Sequence, residues 1–224
     1  MLSRLTLILT ALALLAFAGC GDDDSGSDDG DKATTAAQTC RDVEAPERKP
    51  DGGEKKPTEK LDPSGTYDVI FETSCGDFTV RLDVEQAPNT TASFASLVRN
   101  GFYDDTVFHR IVPGFVIQGG DPTASGTGGP GYKTLDKPPS DARYTQGVVS
   151  MAKAANEPAG TAGSQFYVVS GADAGLPPAY AIVGTVTEGL DTVKRIDKLG
   201  DPNSGGAGVP LRPVVVEQAT LSES

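Results

Sequence analysis

Apolar and polar residues alternate through "TYDVIFETSCGDFTVRLDV", residues 66–84, in two short runs around Cys75–Gly76–Asp77. Period-two alternation broken by a Gly-containing turn predicts a β-hairpin. The period changes at "APNTTASFASLVRNGF". There Pro88 and Asn89 mark a helix start, Ala92, Phe94, Ala95, Leu97 and Val98 fall at helical spacing, and Asn100–Gly101 marks a stop. "TVFHRI" and "FVIQG" read as strands split by Pro113–Gly114, and a Gly/Pro-rich loop follows from Gly119 to Tyr132. "GVVSMA", "SQFYVV" and "YAIVGTV" read as three more strands. "LDTVKRIDKL" is a second amphipathic helix with Leu190, Val193, Ile196 and Leu199 on one face, and "RPVVVEQAT" is a last strand. About eight short strands and two helices predict a mainly β domain, either a closed barrel or a sandwich, with the helices capping its ends.

The pattern also marks what lies outside the domain. Residues 1–19 carry Arg4 and then an apolar run from Leu5 to Ala18, too short for an ordinary span; they read as a lipoprotein signal peptide. The "FAGC" that ends the run resembles the lipobox of bacterial lipoproteins, with Phe17 in the usual place of Leu. This makes Cys20 the expected lipidated N-terminus, anchored to the bacterial cell membrane from the extracytoplasmic side. Residues 20–63 are acidic, then Pro-rich and mixed in charge. They read as a disordered tether reaching about 35 Å, leaving 64–224 as the folded domain.

Charge and cysteines narrow the functional classes. A formal charge of −12 argues against nucleic acid as a partner, since phosphate binding needs a basic face. With Cys20 lipidated, Cys40 and Cys75 remain. An even remainder in an exported chain suggests a disulfide, which would staple tether to domain and stabilise it by about 3 kcal/mol. His109 is the only histidine and no CxxC pair exists, so neither a metal nor another cofactor is expected. A monomer is the default.

Two apparent motifs carry little. "GTGGPG", residues 126–131, matches GxGxxG, but no helix opens after it as a dinucleotide site requires. His109 lacks a GxSxG elbow to serve, and Ser164 sits within a strand pattern. Arg110 is more informative: a guanidinium inside an apolar run, with Gln118 closing it and no nucleophile beside it.

"FHRIVPGFVIQGGDP", "GVVSMAKA", "GSQFYVV" and "LPPAYAIVGTV", in this order and spacing, resemble the cyclophilin-type peptidyl-prolyl isomerases, from about Gly65 to the C-terminus. The resemblance implies a closed eight-stranded antiparallel β-barrel capped by two α-helices, with a proline-binding groove on its outer face. It places the catalytic arginine on Arg110 and the groove glutamine on Gln118. It places substrate contacts on His109, Phe115, Val116, Ala152, Gln165, Tyr167, Leu176 and Tyr180. Lys153 stands where an asparagine is common, and Tyr167 where Phe is usual. The implied substrates are proline-containing polypeptides, here those of exported proteins, and the implied activity is X–Pro isomerisation without a cofactor. A barrel that holds proline segments as a chaperone, without turnover, is the alternative.

The residues themselves suit that chemistry. The X–Pro bond exchanges over tens to hundreds of seconds because amide conjugation resists rotation. No bond is broken, so neither nucleophile nor metal is needed. At the twisted transition state the prolyl nitrogen regains its lone pair, and a fixed donor aimed there binds that state better than either planar one.

Overall fold

The computed structural model describes residues 39–224. The signal peptide, Cys20 and the acidic block of the tether therefore lie outside the described residues.

The first hairpin forms as its alternation predicts, with β1 (Tyr67–Thr73) paired antiparallel to β2 (Phe78–Leu82). Tyr67, Val69, Phe71, Phe78, Val80 and Leu82 all turn to the core. Helix α1 (Pro88–Arg99) starts at the proline and stops before Asn100. It is buried along most of its length, through Phe94, Ala95, Leu97 and Val98. Strands β3 (Thr106–Val107), β4 (Arg110–Val112) and β5 (Val116–Gly119) follow, then β6 (Thr134–Leu135), β7 (Val148–Met151) and β8 (Thr161–Ala162). After β9 (Phe166–Val169) and β10 (Ile182–Glu188) come α2 (Leu190–Asp197), a 3₁₀ segment (Pro202–Ala207) and β11 (Val215–Glu223).

The expected closed ring of eight strands is not what the pairing gives. Nine strands form one curled antiparallel sheet, in the order β3-β11-β1-β2-β10-β7-β9-β5-β4, with two ends. The physical reason lies at Phe108–His109. There the single strand expected from "TVFHRI" divides, β3 pairing with β11 and β4 with β5. The sheet's two terminal strands are thus consecutive in the chain. β6 and β8 form a separate two-stranded pair that the Gly- and Pro-rich sequence does not signal.

Inside the curl, Phe71, Phe78, Phe94, Tyr103, Phe108 and Phe166 make one aromatic cluster, with centroids 5.0 Å apart for Phe71–Phe78 and Phe94–Tyr103. Each such side chain is worth about 3–5 kcal/mol against truncation to Ala. A second, smaller apolar cluster of Val116, Tyr144, Tyr167 and Val169 lies apart from this core. Along β5, Ile117 joins the main core while Val116 joins the second cluster. Both faces of β5 are covered, which is why its sequence is an apolar run instead of an alternation.

The segment expected as a disordered tether is laid along the domain from Cys40 onward. It has no regular secondary structure, yet its backbone is paired. Arg41 N donates to Ser74 O (2.7 Å), Lys49 N to Pro122 O (2.8 Å), Gly52 N to Gly129 O (2.9 Å) and Glu54 N to Pro130 O (3.1 Å). Cys40 and Cys75 are disulfide-bonded. Arg41 pairs with Glu217, and Leu61 is buried in the main core. Polar composition removes apolar burial as a source of order; here backbone hydrogen bonds and one covalent link supply it.

Candidate active site

The β4–β5 hairpin turns at Pro113–Gly114, where Gly114 takes φ +71° and Phe115 N donates to Val112 O (3.0 Å). That turn sets the register, which places Arg110 directly opposite Gln118 and Gln118 directly opposite Tyr167 on β9. Directly opposed residues share a face of the sheet. The arginine, the glutamine and one aromatic wall are therefore brought together by strand pairing alone.

The guanidinium of Arg110 is held at two points. Its Nε donates to Gly206 O (3.0 Å) and its Nη1 to Gln118 Oε1 (3.3 Å). Gln118 Nε2 donates in turn to Gln165 Oε1 (3.0 Å), and Gln165 Nε2 to Gly128 O (2.9 Å). Among the described residues no carboxylate lies within 4.0 Å of Arg110 and no acceptor meets its Nη2. Burial lowers its pKa, with Tyr180 opposing. The charge is thus partly desolvated and uncompensated, with donor capacity to spare.

Arg110 and Gln118 edge a cavity of about 270 Å³ whose remaining walls are Phe115, Val116, Tyr167, Leu176, Tyr180, Ala152 and Lys153. The guanidinium carbon lies 5.9 Å from the Phe115 ring centroid. Tyr144 positions the Tyr180 loop: its hydroxyl donates to Tyr180 O (2.9 Å) and accepts from Tyr180 N (3.0 Å). A larger cavity of about 510 Å³ adjoins and shares Gln118, Ala152 and Lys153. Its lining includes the Gly126–Tyr132 loop, Gln165, the ion pair Lys133–Glu157 and Asp51 from the strap, the segment laid along the domain from Cys40 onward.

Most of the expected contact residues therefore gather around the small cavity. Gln165 lines the larger one, and His109 lines neither. His109 sits at the division between β3 and β4 with no hydrogen-bond partner for either ring nitrogen. Burial lowers its pKa, against the opposing charge of Asp121. Ser164 is fully buried, its hydroxyl donating to Gly120 O (2.7 Å), and is a structural serine. The "GTGGPG" loop is a cavity wall.

One residue that sequence reasoning missed is Asp121, almost fully buried. Its carboxylate accepts from Thr123 N and Oγ1 (both 2.8 Å), Ser125 N (3.1 Å), Gly126 N (2.6 Å) and Gly128 N (3.2 Å). Burial works to raise its pKa, but these bonds prevail and lower it. At Gly128 a Cβ would stand 2.2 Å from Asp121 Oδ1, so the glycine there is required by the close approach. The signal was an aspartate followed by a run of Gly, Ser and Thr, whose amides are its partners.

Comparison with known proteins agrees with this geometry. The family model described as cyclophilin type peptidyl-prolyl cis-trans isomerase/CLD matches residues 68–221. The chain is 37% identical over 162 residues to peptidyl-prolyl cis-trans isomerase-like 1 of Gibberella zeae, covering 70% of this chain and 96% of that protein. It is 35% identical over 169 residues to a probable peptidyl-prolyl cis-trans isomerase A of Mycobacterium leprae, covering 69% and 91%. Among solved structures it is similar to a Cryptosporidium parvum cyclophilin type isomerase crystallised in the presence of the dipeptide Ala-Pro. The TM-score is 0.62 at 30% identity, covering 69% of this chain and 98% of that one. The chain belongs to the cyclophilin-type peptidyl-prolyl cis-trans isomerase family, and is an isomerase of X–Pro peptide bonds.

Proposed function

We propose that this isomerase acts on proline-containing segments of exported polypeptides, with Arg110 stabilising the twisted amide, from a lipid anchor on Cys20. The observation that carries the catalytic reading is the Arg110 guanidinium at the edge of a cavity walled by Phe115, Tyr167 and Leu176. It is clamped by Gly206 O and Gln118 and faces no carboxylate among the described residues. Phe115, Tyr167 and Leu176 hold the pyrrolidine ring while the acyl side rotates. Arg110 donates to the prolyl nitrogen when its lone pair is released, and Gln118 fixes the plane of the fork. Gln165 and Ala152 bind the backbone of the flanking peptide. Such a charge-assisted bond in a water-poor groove contributes about 3–4 kcal/mol, or about two to three decades in rate.

The anchored, extracytoplasmic setting is supported by the apolar run ending in "FAGC" and by the disulfide, which persists in oxidising compartments.

The test compares wild type with Arg110→Ala on proline peptides. The expected result is a fall in kcat/KM of about a hundredfold or more, with peptide binding retained. Equal rates above the uncatalysed one would remove Arg110 from the mechanism, and equal rates at the uncatalysed one, with binding retained, would replace the enzyme by the proline-segment holding module. Mass spectrometry of the mature N-terminus checks the anchor, with lipid on Cys20 expected and an unmodified terminus sinking it.

A further inference from the structure

The small cavity has an unusual charge for this molecule. The chain carries a formal charge of −12, yet the cavity lining holds two cations, Arg110 and Lys153, and no carboxylate. Lys153 also lines the larger cavity, so it stands at the passage between the two. Its Nζ donates to Ala154 O (3.1 Å) and Glu157 O (3.0 Å) and lies 5.5 Å from the Tyr180 ring centroid. These contacts fix the ammonium without neutralising it. Among the described residues no carboxylate lies within 4.0 Å of it. The Glu157 carboxylate, whose pKa Lys153 helps to lower, is engaged by Ala154 N (2.7 Å) and Lys133 Nζ (3.2 Å).

A positioned cation with no ion-pair partner beside a peptide groove selects for negative charge on the peptide. We propose that Lys153 is a specificity-determining residue that favours X–Pro segments bearing an acidic side chain next to the proline. The inference rests on the proline reading of the small cavity and adds its substrate class. The favoured position is the flank whose side chain points along the passage toward the larger cavity. Arg110 is held by Gly206 O and Gln118 with its free Nη2 reserved for the prolyl amide, and Lys133, which lines the larger cavity, is ion-paired with Glu157 (3.2 Å), so Lys153 is the cation without an ion pair that reads that flank.

The test uses exchange NMR, which needs no coupling protease, on two series of short peptides. One series places Glu, Ala or Lys before proline, and the other places them after it. In one series the wild type is expected to turn over the Glu peptide about fivefold better than the Ala peptide at low salt, with the Lys peptide poorest. The order is expected to persist in Lys153→Arg, flatten in Lys153→Gln and in 0.5 M salt (roughly a 4–5 Å Debye length), and invert in Lys153→Glu. No preference in either series, or the same preference in Lys153→Gln, overturns the proposal. If the Ala peptide binds without exchanging, the Arg110 mechanism falls instead. The acidic preference is then decided from the line broadening of the same peptides.

Discussion

The two walls of the groove are held by different means. On one side Arg110, Gln118 and Tyr167 stand on β4, β5 and β9, and their relative places are fixed by strand register. Beneath them Ile111, Ile117 and Val168 are fully buried, so moving the wall would cost the core its packing. On the other side the Gly126–Tyr132 loop rests on polar bonds. Asp121 holds it from inside, Gln165 draws on Gly128 O, and the strap pairs with Gly129 and Pro130. The sheet wall is placed by burial that no single polar substitution removes. The loop wall is a sum of individual bonds and one disulfide, each of which can be removed in turn. Chemistry that needs a fixed donor belongs on the first wall, and discrimination among substrates belongs on the second.

The largest expected effect breaks the second wall at its anchor. Replacing Cys40 and Cys75 together by Ser removes a link spanning 35 residues. Chain-entropy arithmetic for a loop of that size gives a loss of about 3–4 kcal/mol of stability. Urea unfolding measures it, and limited proteolysis should open the strap near Arg48 and Lys49. Turnover of short peptides by the folded variant should change little. A loss of turnover as large as that of Arg110→Ala would show that the strap belongs to the catalytic wall and that the two walls are not independent.

Asp121→Ala attacks the same wall from inside. Backbone amides that now share one carboxylate would lose their acceptor, at a cost of about 2–3 kcal/mol for a buried site that water reaches poorly. Stability by denaturation and selectivity between peptides of different flanking sequence should both change. A change in neither would mean that the loop holds itself.

Arg110→Lys tests the first wall without removing its charge. Lysine cannot reach Gly206 O and Gln118 Oε1 together as the planar fork does. One charge-assisted bond poorly made is worth about 2 kcal/mol, or about a thirtyfold fall in kcat/KM. An active lysine variant would mean that charge alone, not the oriented fork, serves the reaction.

The two walls also differ in how far sequence could disclose them. α1 begins at Pro88 and ends before Asn100 as the capping signals say, and the hairpin at Cys75–Gly76 follows from alternation. The gathering of Arg110, Gln118 and Tyr167 followed from the motifs, because a fixed two-residue register carries strand neighbours with it. The division at Phe108–His109 could not be read, since nothing in the residue types tells which half of a strand pairs with which edge. Apolar content gives no sign of the strap's order. Its order comes from main-chain amides that any sequence possesses. Asp121 was missed for the same reason: its partners are mostly backbone N–H groups supplied by loop conformation.

A smaller effect comes from Tyr167, whose ring belongs to the sheet wall but whose hydroxyl is buried with no partner. Burial pushes that phenol well above its ordinary pKa, so it stays neutral. Tyr167→Phe keeps the ring and removes the orphan, and a gain of about 0.5–1 kcal/mol in stability is expected with turnover retained. A loss of activity would give the hydroxyl a role in the groove.

The last comparison is between the pH responses of activity and of stability. Arg110 stays charged throughout the range in which proteins fold, so kcat/KM should be flat between about pH 6 and 9. Stability should not be flat at the acid end. Burial depresses the His109 pKa below its ordinary value of about 6.5, with Asp121 opposing and Arg110 adding to the depression. The unfolded chain therefore binds more protons than the folded one once pH falls below that value, and stability declines with falling pH through this window. Asp121, depressed in the folded state, adds a second decline below about pH 4, the ordinary carboxylate range, where its loop bonds must be given up on protonation. Replacing His109 by Gln should remove the upper decline and leave the lower one. An activity midpoint within the flat range would instead place a titrating group, and not the guanidinium, at the twisted amide.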